Sequence, residues 1–286
     1  MTCLSPPLDI KTDGASKCSS KCLLHYKYGD SSCFIRNLNT MLYVAYNGVS
    51  DVVYNNVKYN PVGLRINKPS LHKYSGRSEN AEIMIVHGSN QGYLCICVPI
   101  TINSTFTKGS YLLKDIISAS PMEGSASANI ADFNANYLIP RSRYYTYEGP
   151  VIGNPKCDGP RAQYVVFHPR YGGAISISDE TFKLLDKLVQ PSYIATSEGD
   201  VFVNLKGTTA NGFAGDGQIY IDCQPTGVSE EEVVFKDAAP LDVYPNETLM
   251  TILMIVIGAA FIYGTFVLMK FVLGNVNKVT GANQLK

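Results

Sequence analysis

The sequence has no excess of positive or of negative charge. The 286-residue chain holds 24 Lys and Arg against 24 Asp and Glu, so its formal net charge is zero. Positive charge is concentrated locally, because residues 1–80 hold ten basic and five acidic residues. Proteins that bind nucleic acid by neutralising phosphates need a broad basic surface. The charge balance therefore disfavours nucleic acid as a partner.

Cysteines are also sparse for a disulfide-stabilised protein. The eight cysteines, at positions 3, 18, 22, 33, 95, 97, 157 and 223, are too few for a disulfide framework and too irregular for a zinc ribbon. Cys18, Cys22 and Cys33 leave a metal knuckle, a disulfide or plain loop thiols open. The lack of a second pair or a His-x-His motif favours the last two. Cys95 and Cys97 share one face of a predicted strand, where buried free thiols are expected.

The two ends of the chain differ in apolar content, because only the C-terminal end contains a long apolar run. The first seven residues have neither a basic nor an apolar stretch, so we expect no secretory signal. Leu249–Met269 is 21 residues long without a charge, which is the length of a membrane span. We therefore divide the chain into a domain at 1–226, an acidic stalk at 227–248, a transmembrane helix at 249–273 and a short tail at 274–286.

Within the large domain, apolar and polar residues alternate as they do in β-sheets. Leu23–Tyr28, Met41–Tyr46 and Val52–Tyr59 are aromatic and β-branched runs between Gly, Asn and Asp turns. Leu64–His87 predicts a strand, a long polar connection and a second strand. Tyr111–Ser118 and the segment after Ser178 predict helices. The predicted fold class is α+β, mainly β, plus one C-terminal transmembrane helix.

Two blocks of sequence resemble the α-carbonic anhydrases. Residues 64–87, LRINKPSLHKYSGRSENAEIMIVH, align without a gap with that family's H-x-H, its P-S-E-H turn and its E-x-H-x-V-H. Residues 137–159, YLIPRSRYYTYEGPVIGNPKCDG, resemble its L-L-P, Tyr-rich strand and G-S-L-T-T-P-P-C. The retained positions are Pro69, Ser70, His72, Gly76, Glu82, Val86 and His87 in the first block, and Leu138, Pro140, Tyr145, Tyr147, Gly149, Pro155 and Cys157 in the second. The resemblance implies a large twisted, mostly antiparallel sheet with short helices.

The resemblance fails at the residues that carry the chemistry of the family. Three histidines of that family hold a zinc ion with an open fourth position. Arg65, Asn67 and Met84 stand at those places, and none of the three is a good zinc ligand. The positions of the proton shuttle and of the groups that orient the zinc-bound hydroxide hold Val49, Leu71, Gly153 and Asn154. We therefore expect no metal, no cofactor and no catalytic residue.

Other roles follow from the same comparison. Lys68, His72, Lys73 and Arg77 are candidate anion-binding residues. Together with Arg65, the two lysines and Arg77 place four fixed positive charges in about a dozen residues, which suits sulfate or carboxylate. The alternative for each is a solvated turn. An arginine on the inward face of a strand needs an anionic partner, and Glu82 is expected to pair with Arg65. The resemblance implies structural roles for Glu82 and His87 and a possible disulfide between Cys3 and Cys157.

Three functions are compatible with these observations. The first is a non-catalytic, membrane-anchored protein similar to the cell-surface-binding branch of the family in poxviral virion membranes, which binds sulfated glycosaminoglycans on host cells. The second is an architectural virion membrane protein that contacts other membrane or capsid proteins. The third is an enzyme with a relocated metal held by His72, His87 and a cysteine.

The expected location follows from the first function and from the predicted membrane span. The large domain would lie on the exterior side of the virion membrane, anchored by the C-terminal helix. A C-terminal anchor inserted after synthesis would leave the large domain on the cytosolic face, and in that topology the sequons at Asn103 and Asn246 would remain unglycosylated. The three lysines after the span favour the alternative topology, with the tail on the cytosolic side. Small residues in the span, such as Gly258 and Gly264, allow pairing of two copies.

Overall fold

The computed structural model describes residues 5–18, 22–46, 48–124, 127–152 and 159–208, and these form a mainly β domain with two α-helices. The helices are α1 (Lys108–Ala119) and α2 (Asp179–Leu188). The strands are β1 (Asp9–Ile10), β2 (Ser16–Lys17), β3 (Leu24–Tyr28), β4 (Ser31–Asn37), β5 (Met41–Tyr46), β6 (Ser50–Tyr54), β7 (Val57–Asn67), β8 (Lys73–Tyr74), β9 (Arg77–Ser78), β10 (Ala81–Ser89), β11 (Gly92–Ile102), β12 (Ala128–Phe133), β13 (Tyr144–Pro150), β14 (Arg161–Phe167), β15 (Ile175–Ile177) and β16 (Phe202–Asn204). Short 3-10 turns lie at Ala135–Leu138 and Pro169–Tyr171.

Most strands belong to one large mixed sheet. Its main path runs β12-β4-β5-β7-β10-β11-β14-β13-β16-β2, and β3, β6 and β15 attach beside it. The centre, from β5 through β7 and β10 to β11, is antiparallel as expected, whereas β14 and β15 both run parallel to β11. The strand predicted at Val52–Tyr59 is two strands, because Asn55 and Asn56 both adopt positive φ and reverse the chain between them.

The two strands of the 64–87 stretch are paired directly, as predicted. Residues of β7 and β10 form an antiparallel ladder in which Met84 lies opposite Arg65 and Glu82 opposite Asn67. The polar connection between them contains the small hairpin β8–β9, which pairs with β1 to form a separate three-stranded sheet. β7 and β10 are neighbours near the middle of the large sheet.

Both faces of the central strands are buried, so the domain has two apolar clusters. The helix-side cluster packs Ile83 and Ile85 of β10 with Leu113 of α1 and Leu185 of α2, all fully buried. The opposite, N-terminal-side cluster includes Met84, Cys95, Cys97, Tyr147 and Tyr164, together with Leu8 and Ile10 near the N-terminus. Successive residues of a strand point to opposite faces, and the odd and even positions of β10 divide between the clusters accordingly.

The helices begin at local signals in the sequence. Ser178 caps α2, and its hydroxyl accepts from the Thr181 amide, so the helix begins directly after Ser178 as predicted. Thr107 caps α1 and forms a reciprocal capping box with Ser110. The helix predicted at Tyr111–Ser118 is therefore longer at its N-terminal end than the apolar pattern indicates.

Five of the eight cysteines lie among the described residues. Cys18 and Cys22 form a disulfide, one of the two outcomes that the sequence favours. Cys33, Cys95 and Cys97 are buried free thiols. Cys3 and Cys157 lie outside the described residues, as do the stalk, the membrane span and the tail. Among the described residues, no helix is long and apolar enough to cross a membrane.

Candidate functional site

The three positions of the predicted zinc-ligand replacements lie together on one sheet face. Arg65 and Asn67 are two residues apart on β7, so both point to the N-terminal-side cluster. Met84 lies directly across from Arg65 on β10. Asn67 is 4% and Met84 3% exposed, whereas Arg65 is partly exposed. The strand register therefore assembles a guanidinium, an amide and a thioether at one place.

A zinc ion does not fit this group of side chains. A guanidinium offers no lone pair to a metal, an amide is a weak zinc ligand, and a thioether favours softer ions. No chemical step through a zinc ion can be derived at these three positions.

Arg65 has a different environment from the one that the sequence indicates. The carboxylate of the expected partner, Glu82, accepts from the His72 backbone amide at 2.9 Å through one oxygen and from the His72 ring at 2.8 Å through the other. Among the described residues, no ion pair links Arg65 to any carboxylate, so the predicted pair with Glu82 is wrong. Burial raises the pKa of the Cys95 thiol to about 12, and the charge of Arg65 acts in the opposite direction.

His72 and Glu82 belong to a fully buried hydrogen-bond network. The Nδ1 atom of His72 donates to Glu82, and its Nε2 atom lies 2.7 Å from the Tyr147 hydroxyl. The Tyr147 ring stacks on Tyr164 with centroids 4.6 Å apart. Ser70 donates to the His72 carbonyl at 2.7 Å and fixes the turn that carries the imidazole. Every ring nitrogen and carboxylate oxygen in this network has a partner, which is the arrangement that buried polar groups need.

Cys97 lies beside this network and completes a possible set of metal donors. The donor atoms of His72, Glu82 and Cys97 lie within 4.8 Å of one another, and all three residues are buried. Burial raises the pKa of the Cys97 thiol well above its ordinary value, and the neighbouring Glu82 carboxylate acts in the same direction. A thiol must lose its proton to bind zinc, so a metal at this group would have to displace the proton of Cys97.

His87 lies on the other face of β10 from Glu82. Its ring accepts from the Tyr28 hydroxyl at 2.7 Å and donates to the Leu94 carbonyl at 3.3 Å. Burial lowers the pKa of His87 to about 4. Glu82 and His87 are an odd number of positions apart on β10, so their side chains point to opposite faces of the sheet. His87 lies with the helix-side cluster, whereas His72, which bonds to Glu82, lies with the N-terminal-side cluster. The structure therefore does not bring His72 and His87 to one metal site.

Two of the four candidate anion-binding residues are internal. The Lys68 side chain is only 8% exposed, and its ammonium group lies 2.5 Å from Asp186 of α2. His72 is fully buried in the network described above. Both residues already have partners within the domain, which disfavours their assignment to an external anion. Lys73 is partly exposed and Arg77 is exposed on the β8–β9 hairpin.

The remaining predicted site positions are distributed around the domain. Val49 is 86% exposed, and its carbonyl accepts from the Gly29 amide at 2.8 Å. Leu71 is buried in the N-terminal-side cluster. Gly153 and Asn154 lie outside the described residues.

The side chains that hold His72, Lys68 and His87 in place are Tyr147, Asp186 and Tyr28, and no role was predicted for them. Tyr147 is one of the retained motif residues, and its place in a tyrosine-rich strand is the only sequence signal for it. Asp186 and Tyr28 have no such signal, because Asp186 lies 118 residues from Lys68 and Tyr28 lies 59 residues from His87.

The fold is that of the α-carbonic anhydrases. The Photobacterium profundum α-carbonic anhydrase superposes with a TM-score of 0.59 at 14% identity, covering 70% of this chain and 88% of that one. An α-carbonic anhydrase from Thermovibrio ammonificans, in complex with sulfanilamide, gives 0.59 at 18% identity, with coverages of 70% and 86%. Dioscorin, complexed with ascorbate, gives 0.58 at 19% identity, with coverages of 71% and 86%. No protein-family model and no curated protein sequence matches the chain.

Proposed function

We propose that this protein is a non-catalytic, carbonic anhydrase-like attachment protein of the virion membrane of a large DNA virus. Its domain would lie on the exterior side and bind sulfated glycosaminoglycan-type glycans of the host cell, and the 249–273 segment would anchor it. The observation that carries the proposal is the side-chain set at Arg65, Asn67 and Met84. It keeps a positive charge at the centre of the sheet face but provides no zinc ligands.

Arg65 is the group in this set that suits an anion. Its guanidinium has five donors in a fixed fork, which can bind two oxygens of a sulfate or carboxylate at once. It is partly exposed and has no carboxylate partner among the described residues. Lys73 and Arg77 add two further cations on the hairpin that follows β7.

Binding of sulfated glycans can be measured with the full-length protein in detergent. Heparin and chondroitin sulfate are passed over the protein at low and high salt, because interactions between exposed charges weaken as ionic strength rises. We expect Arg65→Gln and the double variant Lys73→Ala/Arg77→Ala each to lower the affinity at least about tenfold. Lys114→Ala removes an exposed cation of α1 and is the matched control. Equal binding by all four proteins would contradict the assignment of the site.

The loss of catalysis is tested separately by metal analysis and activity. Elemental analysis of the protein purified from zinc-supplemented medium is expected to give zinc far below one ion per chain. Carbon dioxide hydration and ester hydrolysis are expected at the rate of the buffer alone. Stoichiometric zinc with either activity would overturn the proposal and favour an enzyme with a relocated metal, for which His72, Glu82 and Cys97 are the available donors.

An architectural role is the second candidate, and the burial of Lys68 and His72 favours it. Two of the four residues assigned to glycan binding have partners within the domain, and one of them, Lys68, is a buried cation, which reduces the exposed positive charge of this segment. In that case the domain contacts other virion membrane or capsid proteins, or a second copy of itself. No binding to heparin or chondroitin sulfate at low salt, with recovery of other virion proteins after cross-linking of virions, would support this role.

A further inference from the structure

Three aromatic side chains are exposed together where α1 begins, and we call Phe106, Tyr111 and Tyr137 the aromatic patch. They are 44%, 60% and 44% exposed. The ring centroids of Phe106 and Tyr111 lie 6.3 Å apart, and the Lys108 ammonium lies 5.2 Å from the centroid of the Tyr137 ring. Lys108 and Tyr111 share one face of α1, because they are three residues apart on a helix. One surface therefore presents three rings and a cation to solvent.

Two of these rings have a local role that leaves their outer surfaces free. Phe106 precedes the cap residue Thr107, and Tyr111 is the fourth residue of α1, which are the two positions of a hydrophobic staple. The staple fixes the entry of the chain into the helix, but it does not bury the pair. The three rings together expose roughly 300 Å², taking about 200 Å² for a whole ring, and patches of that size often mark contact surfaces.

The composition of the aromatic patch matches the boundary between lipid headgroups and acyl chains. Tyrosine has an apolar ring and a polar hydroxyl, and it is enriched at that depth of a membrane. A lysine beside such rings buries its stem and extends its charge towards anionic headgroups. α1 carries two lysines, Lys108 and Lys114, against one acid, Asp115, so its charge favours an anionic surface.

The described part of the chain ends beside the aromatic patch. Thr208 is the last described residue, and its hydroxyl donates to the carbonyl of Pro140, three positions after Tyr137. The forty residues from 209 to 248 lead to the expected anchor and span at most roughly 140 Å. A tether of this length keeps the domain at a high effective concentration near the bilayer, so a small patch is sufficient for contact.

The aromatic patch and Arg65 lie on opposite sides of the large sheet. α1 packs Leu113 and Ile117 into the helix-side cluster, so its exposed face points away from the sheet. Arg65 points to the N-terminal-side cluster, and Tyr74 of the β8–β9 hairpin belongs to that cluster too. A membrane on the aromatic patch therefore leaves the Arg65 side of the domain directed away from the membrane.

From these observations we infer that the aromatic patch docks on the phospholipid surface of the membrane in which the chain is anchored. The three rings lie at the level of the headgroups, and Lys108 contacts the anionic ones. The inference rests on the proposed anchor, and it adds which side of the domain faces the virion and which side faces the host cell. The competing occupant is a second copy of this chain.

The chain has no tryptophan, so one introduced tryptophan reports only on its own surroundings. Full-length Tyr111→Trp is reconstituted into vesicles of phosphatidylcholine and phosphatidylserine, with and without brominated acyl chains, because bromine quenches tryptophan on contact. We expect bromination to lower its emission at least about twofold, since an interfacial ring reaches the acyl boundary. The matched control is Tyr93→Trp, a position 36% exposed at the other end of β11, about 30 Å from Ile102 along the strand, where we expect no quenching.

Two changes in the Tyr111→Trp protein test the remaining members of the surface. Phe106→Ser/Tyr137→Ser removes two rings and is expected to abolish the quenching. Lys108→Glu removes no apolar ring, and it should weaken the quenching in vesicles with phosphatidylserine but not in pure phosphatidylcholine. Quenching that neither change affects overturns the inference.

Flotation of the vesicles after an alkaline wash tests the anchor separately. Protein that floats while Tyr111→Trp is insensitive to bromination overturns docking but not the anchor, and protein that does not float overturns both. Equal quenching of Tyr93→Trp overturns docking at this patch. An emission shift that follows the protein-to-lipid ratio instead of bromination also overturns it and assigns the patch to a second copy. None of these measurements uses glycan binding, so the heparin experiment can fail or succeed independently.

Discussion

Acidification is expected to destabilise the domain through two buried histidines. His87 is fully buried between the Tyr28 hydroxyl and the Leu94 carbonyl, and burial lowers its pKa to about 4. His168 is 6% exposed, and burial, with the charge of Arg170, also lowers its pKa to about 4. Both rings are therefore neutral in the folded protein at neutral pH.

The direction and size of the effect follow from the difference between the folded and unfolded states. In the unfolded chain each imidazole takes up a proton near its ordinary pKa of 6.5, whereas the folded protein resists protonation until about 4. Stability is therefore complete above the unfolded pKa and is lost as the pH falls from about 6.5 towards about 4. Between about pH 7 and about pH 5 each histidine removes roughly 2 kcal/mol from the free energy of unfolding.

Urea unfolding at these two pH values measures this loss. The chain has 19 tyrosines and no tryptophan, so near-ultraviolet circular dichroism of tyrosine is the suitable signal. His87→Gln keeps groups that can accept from Tyr28 and donate to the Leu94 carbonyl but does not titrate. We expect this variant to lose roughly 2 kcal/mol less than the wild type between the two pH values, and His168→Gln to behave alike.

Carboxylates that titrate over the same range contribute equally to the wild type and the variants. They cancel in the comparison, and the double variant His87→Gln/His168→Gln should combine both effects. An equal pH dependence of unfolding in the wild type and in both single variants would refute the reasoning from burial.

Three further substitutions test the packing around the sites. Asp186→Asn leaves the buried Lys68 ammonium without its carboxylate, and it should lower the free energy of unfolding by about 1 to 3 kcal/mol in a urea titration. The control is Asp179→Asn, which breaks an exposed pair on the same helix and should cost less than about 0.5 kcal/mol in the same titration. Tyr147→Phe removes one hydroxyl from the buried network and should cost about 1 to 2 kcal/mol in thermal and urea unfolding, and an unchanged midpoint would contradict the network. Gly109→Ala should destabilise the domain by about 1 to 3 kcal/mol although alanine favours helices, because a β-carbon there overlaps a backbone carbonyl; a rise in melting temperature would show that the contact can relax.

Local patterns in the sequence predicted the central part of the fold correctly. Alternation along Ala81–His87 places Ile83 and Ile85 on one face and Glu82 and Met84 on the other, and the structure confirms this division. The Ser178 cap is another such local feature, set by residues a few positions apart. These features are local, so a single sequence contains the information for them.

The pairings of charged groups were predicted less well. The sequence shows that Arg65 points inward and that Glu82 lies on the neighbouring strand. It does not show that the connection between the strands folds back so that His72 donates hydrogen bonds to both oxygens of that carboxylate. Likewise, Lys68 is classed with exposed turn residues until α2 is placed against it.

The sequence by itself determined the hairpin at 64–87, the residues at its former ligand positions, and the resemblance to carbonic anhydrases, because all of these are patterns of residue type at fixed spacing. The tertiary structure alone decided which charges are available. It buried Lys68 and His72 and left Arg65 without a carboxylate among the described residues. These outcomes depend on contacts between residues far apart in the chain, which no local pattern specifies.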